Sequence, residues 1–583
     1  MRRLGPPLAL LLALLAFAAS AAAAPRLYAP SYGSGPPETV SVFDVVAGGA
    51  LSPLAGSPFP LYTEPSGPAG VVGIAFTPDG NRAASSYLYN GGVQGLAINP
   101  AGVPAPAGAP ILTASATGIA VSPDGRFAYA PTREFLGVGP EGVRAFAIGA
   151  DGNLTPAGSF GSNQSYEVAI GGGGRFLFTV GSTGIERFAI GADGGLTPLG
   201  TTPVSDVRYM VTSPDGRFLF LAIQNGVGGL VSLTVAADGS LTPNGDALQF
   251  AGGDSEIPAV SPSGNRVYVP DEGIEKLVTV GVAADGTLSQ LSSFELEDPR
   301  SAAVSPDGRF LYVYHGGPED GIAVASLDAN GIPTLLPSQV PFDTGETLPI
   351  VFRPGPAPVA SFSAKAAAPG APASFNAAKS TNAAGYSWDF GDGTTLANGG
   401  SKPTHAYAKA GKYTVTLSVT DAQGCGAKQI YTGQSTVCPG GTATTQTLTV
   451  DTLPVIGKVK AAPKKYLPAG VAKGKGGTKF RVKLNEKAKI QVKIEQRLPG
   501  RKVGRKCKKP TPGNAAKKKC NRFVKLGSRN KGNGKAGWNA IAFNGKLKGK
   551  PLAPGGYRIT AVATDSAKGR SAPKTAAFQI LPY

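Results

Sequence analysis

Residues 122–127 spell SPDGRF, and that phrase or a close variant returns through the first 310 residues. It reads SPDGRF again at 213–218 and 305–310, TPDGNR at 77–82, SPSGNR at 261–266 and GGGGRF at 171–176. Successive copies lie 45, 49, 42, 48 and 44 residues apart. A period in the forties, built from short strands, predicts a β-propeller in which each repeat is one four-stranded blade. Binding and chemistry are then expected on the loops around a central channel.

One repeat, residues 118–158, shows how the pattern works. A short apolar run, Gly118–Val121, enters Ser-Pro-Asp-Gly, where proline presets φ and glycine closes the turn without a side-chain clash. RFAYA (126–130) and VRAFAI (143–148) read as the second and third strands. Gly149-Ala150-Asp151-Gly152 then turns the chain into a fourth strand, NLTPAG. The same turn returns as GADGGLTP (191–198), AADGSLTP (236–243) and AADGTLSQ (283–290). These Asp-Gly pairs lack the acidic 1-3-5-12 spacing of a calcium loop and read as hairpin turns. No metal or cofactor is expected.

Six full units begin near Gly73, Gly118, Glu167, Tyr209, Ile257 and Ser301. The N-terminal stretch supplies only later strands, RLYAPSY (26–32), VSVFDV (40–45) and GALSPLAG (49–56). LPIVF (348–352) is the expected missing first strand, which makes a seventh blade shared by both ends of the propeller. Closure of this kind leaves no open sheet edge.

The outer segments fix the compartment. Arg2 and Arg3, the apolar run Leu8–Ala18 and the small residues 18–24 read as a secretory signal peptide over 1–24. No later segment approaches the 18 apolar residues of a membrane helix. A secreted or extracellular protein is expected, with cell-surface attachment through contacts. The four cysteines fall in two pairs, Cys425/Cys438 and Cys507/Cys520. There is no CxxC, and His315 and His405 are the two histidines, so disulfides are expected rather than zinc.

After the proline-rich RPGPAPV (353–359) the repeat ends. YSWDFGDGTT (386–395) and PTHAYAKAGKYTVTLSVTD (403–421) follow, and they resemble the PKD domain, an immunoglobulin-like β-sandwich of secreted and surface proteins. The resemblance implies that Trp388 packs between the sheets, that Tyr413, Val415 and Leu417 alternate inward, and that Asp389 and His405 serve structure. An extension to Val450 is expected to be stapled by Cys425–Cys438.

Residues 451–583 carry 34 Lys and Arg against 4 Asp and Glu, within a chain of net charge +19. The rest is therefore acidic. TKFRVKL (478–484), AKIQVKIEQ (488–496), GWNAIAFN (537–544), GGYRITAVATD (555–565) and TAAFQI (575–580) read as a second sandwich, similar to fibronectin-type or bacterial Ig-like modules. Between them RKVGRKCKKPTPGNAAKKKC (501–520) is expected as a basic loop closed by Cys507–Cys520, with Lys508, Lys509, Lys517, Lys518 and Lys519 meeting anions. Cell-wall polymers or acidic glycans are the expected partners. Few aromatics interleave with the lysines, which disfavours nucleic acid.

The grammar SPDGRFLYV followed by VxxFxIxxDGxLTP resembles the seven-bladed propeller lactonases, which include 6-phosphogluconolactonases. That family carries Pro-Arg-His before the first strand of a blade. Here Pro299 and Arg300 are followed by Ser301, and Arg208 by Tyr209. Without the histidine, lactone hydrolysis would fall to carboxylates, with arginines polarising the carbonyl. Tyr166, Arg208, Glu256 and Arg300 occupy equivalent register positions five residues before the turn, with Glu167 one position later. Tyr166, Arg208, Glu256 and Arg300 are the expected ligand-binding groups, and Arg208, Arg300, Glu167 and Glu256 the catalytic candidates.

An all-β architecture is expected: a seven-bladed propeller (25–353), a PKD-like sandwich (354–450) and a basic Ig-like sandwich (451–583). The leading functional reading is an exported, non-enzymatic multidomain binding protein. Its rival is a secreted lactonase-like hydrolase, and a third reading is adhesion alone.

Overall fold

A computed structural model describes residues 25–582, apart from 32–37, 63–69, 89–91, 114, 134–141, 162–164, 182, 225, 318–319, 342–348, 451–452, 471–475 and 567–568. The signal-peptide reading lies outside the described residues. Among the described residues there is no α-helix, only two three-residue 3-10 turns, and no helix is long and apolar enough to cross a membrane. The fold is all-β.

Seven antiparallel sheets form the propeller. Blade 1 orders Leu51–Pro53, Glu38–Val45, Arg26–Pro30 and, innermost, Val351–Arg353. Both ends of the propeller thus share one blade, with Leu27 opposite Phe352. The closing strand lies slightly later than 348–352, and Leu348 is outside the described residues. Ile350 and Phe352 are buried, and the Phe352 ring meets Tyr312 of blade 7 edge-on at 5.5 Å. Blades 2 to 7 follow over 71–112, 115–160, 165–202, 207–249, 259–295 and 299–341.

The repeated phrase holds both the turn and the ring. In blade 3, Gly125 N–H donates to the Ser122 carbonyl at 2.8 Å, and Ser122 Oγ accepts from Phe127 N–H at 3.0 Å. Gly125 has φ +73°, and a Cβ there would sit 2.8 Å from Cδ of Pro78 in blade 2. Gly174 lies against Pro123, Gly264 against Pro214 and Gly308 against Pro262 in the same way. The glycine of one blade therefore nests on the proline of its predecessor. At the rim the second-strand tyrosines bond into the next blade's outer hairpin: Tyr129 to the Gly194 carbonyl (3.0 Å), Tyr268 to Gly331 (2.8 Å) and Tyr312 to Gly49 (2.8 Å). The Asp-Gly carboxylates cap their own turns, Asp151 accepting from Asn153 N–H at 3.0 Å.

The next module is a sandwich of a three-stranded sheet (Ser363–Lys365, Pro372–Asn376, Thr404–Ala406) on a four-stranded one (Gly385–Asp389, Thr395–Leu396, Gly411–Thr420, Thr444–Val450). Trp388 is buried between Phe362 and Phe375. Val415 and Leu417 point inward, whereas Tyr413 is half-buried and stacks on Tyr407 at 4.2 Å. His405 stacks on Phe390 and pairs with Asp392 at 2.8 Å.

The extension after the sandwich takes a course that the repeat pattern did not announce. Cys425–Cys438 is formed within the extension to Val450, as expected, but the segment that it closes is not part of the sandwich sheets. Gln429–Tyr431 and Thr436–Pro439 form a separate hairpin that leaves the sandwich and enters the propeller. The reason is hydrogen-bond demand: inner-strand amides that would otherwise be unpaired in the channel find partners on it.

The basic module packs Ile456–Ala462, Thr478–Leu484 and Gly537–Phe543 against a six-stranded sheet. TKFRVKL alternates buried and exposed as written, and Phe480, Val482, Ile490, Val492, Ile494 and Phe578 lie in the core. The expected basic loop is instead the tip of a long hairpin, Ala488–Val503 paired with Lys519–Gly534. Pairing with the third strand, Gly555–Thr564, stops at Gln496, just past Ile494, where the strict buried-exposed alternation ends. The arm past that point carries Cys507–Cys520 near its tip, and Lys508, Lys509, Lys517, Lys518 and Lys519 on it are exposed.

Candidate functional site

The first strand of each blade lines the channel, running from one mouth to the Ser-Pro-Asp-Gly end. At its starting end, bulges re-aim single side chains. The register slips between Ser165 and Glu167, between Val207 and Tyr209, and between Pro299 and Ser301. Tyr166, Arg208 and Arg300 are the residues thrown out of pairing, since a bulge leaves its extra residue unpaired and bends the strand. Asp206 and Asp298, each two residues before the arginine, have φ of 60° and 43°, and their carbonyls accept from Gln224 and Gly316.

Of the five predicted side chains, Tyr166 and Arg208 line the cavity at this mouth, Glu256 feels both Arg208 and Arg300, and Glu167 feels Arg208 but lines the inner channel. Glu256 is 7% exposed, accepts from Gln224 Nε2 at 3.0 Å and bonds the Tyr209 hydroxyl. Burial pushes its carboxyl up to about 7, against the pull of Arg208 and Arg300. Glu167 is pressed against Gly118, where a Cβ would stand 2.6 Å from its Oε1. Burial pushes it up to about 8, opposed by the Val168 amide and by Arg208. Arg208 is exposed and lies over the Tyr209 ring at 5.3 Å. Arg300 is held by two carboxylates, Asp298 at 2.6 Å and Glu272 at 2.7 Å. Arg208 is thus the more available cation of the two.

An open cavity of about 510 Å³ at this mouth is lined by Arg133, Tyr166, Asp206, Arg208 and Gln224. Arg133, which lies over Tyr166 at 5.7 Å, was missed in the sequence together with Gln224, Glu272 and Asp298. Arg133 and Gln224 close or follow second strands, so their legible signal was a polar residue at the mouth-side end of the neighbouring strand. His315 lies cross-strand from Pro299 and is buried, in a different recess with Glu275 and Glu297. Among the described residues no cluster of metal-ligating side chains occurs.

Residues 355–436 match the family model of the PKD domain. That match includes most of the hairpin that enters the propeller. A microbial collagenase of Vibrio alginolyticus is 51% identical over 45 residues, 8% of this chain and 5% of that protein. This chain therefore spans a small part of that relative. The propeller's neighbours among solved structures include the periplasmic gluconolactonase of Pseudomonas aeruginosa, at TM-score 0.48 and 20% identity, covering 57% of this chain and 99% of that one. A candidate 6-phosphogluconolactonase of Bacteroides fragilis has TM-score 0.47 and 19% identity, covering 56% of this chain and 97% of that one.

Proposed function

We propose that the chain is an exported multidomain binding protein, with a signal peptide (1–24), a ligand-binding propeller (25–353), a PKD module (354–450) and a basic Ig-like module (451–583) that attaches to anionic polymers. What supports the propeller's role is that Tyr166 and Arg208 line one open cavity, that Arg208 and Arg300 both act on Glu256, and that Tyr166, Arg208 and Arg300 sit at matching bulges. Arg208 offers a cation on an aromatic platform, and Glu167, protonated at neutral pH, offers a hydroxyl donor. Together these groups suit a small polar ligand with acceptor oxygens. Calorimetric titration of a panel of small sugar acids into the full chain and into Arg208→Ala tests this. Equal binding by both proteins would refute it.

A second reading is favoured by Glu256, whose carboxyl near 7 is matched to general-base work at neutral pH and lies under the influence of Arg208. Glu256 would take the proton of an attacking water while Arg208 polarises a lactone carbonyl. Lactone turnover by the full chain that Glu256→Gln abolishes would replace the binding-only reading with this one.

A further inference from the structure

The innermost strand of a blade is a sheet edge, and its N–H and C=O groups on the channel side lack a neighbouring strand. At the end opposite the arginine mouth, the hairpin Gln429–Pro439 fills that need. Val121, Ile170 and Thr212 donate their amides to the carbonyls of Gln434 (2.8 Å), Gly433 (2.7 Å) and Thr432 (3.0 Å). Phe76 N–H donates to Ser435 Oγ at 2.9 Å. In return Gln434 Nε2 donates to the carbonyls of Val168 (3.1 Å) and Met210 (2.6 Å), and the Tyr431 hydroxyl to Val121 (2.8 Å). Four consecutive blades are bonded in this way, while Val437 packs toward Phe352 of blade 1 and Tyr312 of blade 7.

Above the hairpin lies a cavity of about 100 Å³, walled by residues such as Ile74, Ile119, Met210 and Ile257 and floored by Ile430 and Gln434. Glu167 is the one carboxyl among its lining residues, and Arg208 of the mouth lies over the ring of Tyr209, another lining residue, and acts on Glu167. A charge placed there would lose its hydration without a partner cation inside, whereas an apolar group loses nothing. Dry apolar cavities of about 150 Å³ take up benzene or xenon.

We propose that the Gln429–Pro439 hairpin is a built-in stopper that makes the propeller channel single-mouthed, and that the apolar cavity above it takes the uncharged, apolar end of a small ligand. The PKD module then sets how deep a ligand can reach. For the ligand's polar end the proposal rests on the mouth-binding reading. The cavity and the stopper are testable without it.

The test uses the full chain with both disulfides intact. Crystals pressurised with xenon should show one xenon site between Ile119, Met210 and Ile430, and Ile119→Trp should remove it. By hydrogen exchange, the amides of Val121, Ile170 and Thr212 should be protected. Replacing residues 429–437 by a Gly-Ser stretch of equal length, with Cys425 and Cys438 kept, should speed their exchange about tenfold or more. Absence of xenon from the wild-type channel overturns the cavity, and fast exchange of those amides in the wild-type chain overturns the stopper. Both readouts hold if the replacement fails to fold. Arg208→Ala should leave both unchanged, so failure of the mouth reading is seen separately.

Discussion

The side-chain amide of Gln434 donates to the backbone carbonyl of Met210 at 2.6 Å, across 224 residues of sequence. One residue belongs to a hairpin of the PKD module and the other to the inner strand of propeller blade 5. The two modules are therefore docked.

Gln434→Ala should destabilise the propeller. It leaves the Val168 and Met210 carbonyls short of a donor in a site with little room for water, a loss of roughly 1–3 kcal/mol. Urea unfolding followed by tyrosine fluorescence would read it. An unchanged midpoint would show that the hairpin does not hold the blades.

The mouth carboxylates set a pH dependence. Glu167 and Glu256 have native values raised to about 8 and about 7, so between pH 4.5 and 8 the folded state holds more protons than the unfolded one. The contribution of these two groups should therefore be fully present below about 4.5 and decline as pH rises to about 8, by roughly 3 kcal/mol at most for Glu256. Glu256→Gln and Glu167→Gln should each flatten the slope in chemical denaturation at several pH values. A slope unchanged in both variants contradicts their burial.

Ring closure should depend on the last strand. Phe352 is buried against Tyr312 and pairs opposite Leu27, so Phe352→Ala opens a cavity at the seam and should cost roughly 3–5 kcal/mol. Calorimetry of the full chain checks this. A loss under about 1 kcal/mol, the size of an ordinary surface change, would mean that blade 1 holds without it.

The two disulfides should behave differently. Peptide mapping should link Cys425 with Cys438 and Cys507 with Cys520, with no free thiol. Replacing both cysteines of the first pair by serine loosens the stopper, at a cost of roughly 3 kcal/mol in the chain-entropy model. The same change at the second pair frays the arm's tip and should leave the melting of the basic module's core nearly unmoved.

The arm should bind polyanions. Residues 452–583 are expected to adhere to an acidic glycan or cell-wall preparation at low salt and to elute as salt rises, because the Debye length falls from about 10 Å at 0.1 M to about 3 Å at 1 M. Replacing Lys508, Lys509, Lys517, Lys518 and Lys519 with Gln should weaken retention. Binding indifferent to salt, or carried by residues 25–450, would place attachment elsewhere.

Much of the site was legible because blades repeat. A residue five positions before each turn has to fall at the same channel end, so Tyr166, Arg208, Glu256 and Arg300 could be grouped without coordinates. Arg133 and Gln224 were not legible, because they reach the mouth from second strands whose ends vary in length. That Arg300 is engaged by Glu272 while Arg208 is not depended on the course of one rim loop.

The sequence alone determined what recurs locally. Ser-Pro-Asp-Gly at a period in the forties fixes turns and strands, alternation in TKFRVKL fixes a sandwich face, and WDFGDG fixes the buried Trp388. Each of these is written in residues close together along the chain. The tertiary structure decided what depends on distant surfaces meeting. Residues 429–439 carry no marked periodicity, and their fold follows from inner-strand amides some two hundred to three hundred and fifty residues away that require hydrogen-bond partners. The basic segment likewise extends as an arm because the third strand beside it stops at Gln496. Local propensity encodes the blades, and only the unsatisfied edges of the assembled ring determine what stops its channel.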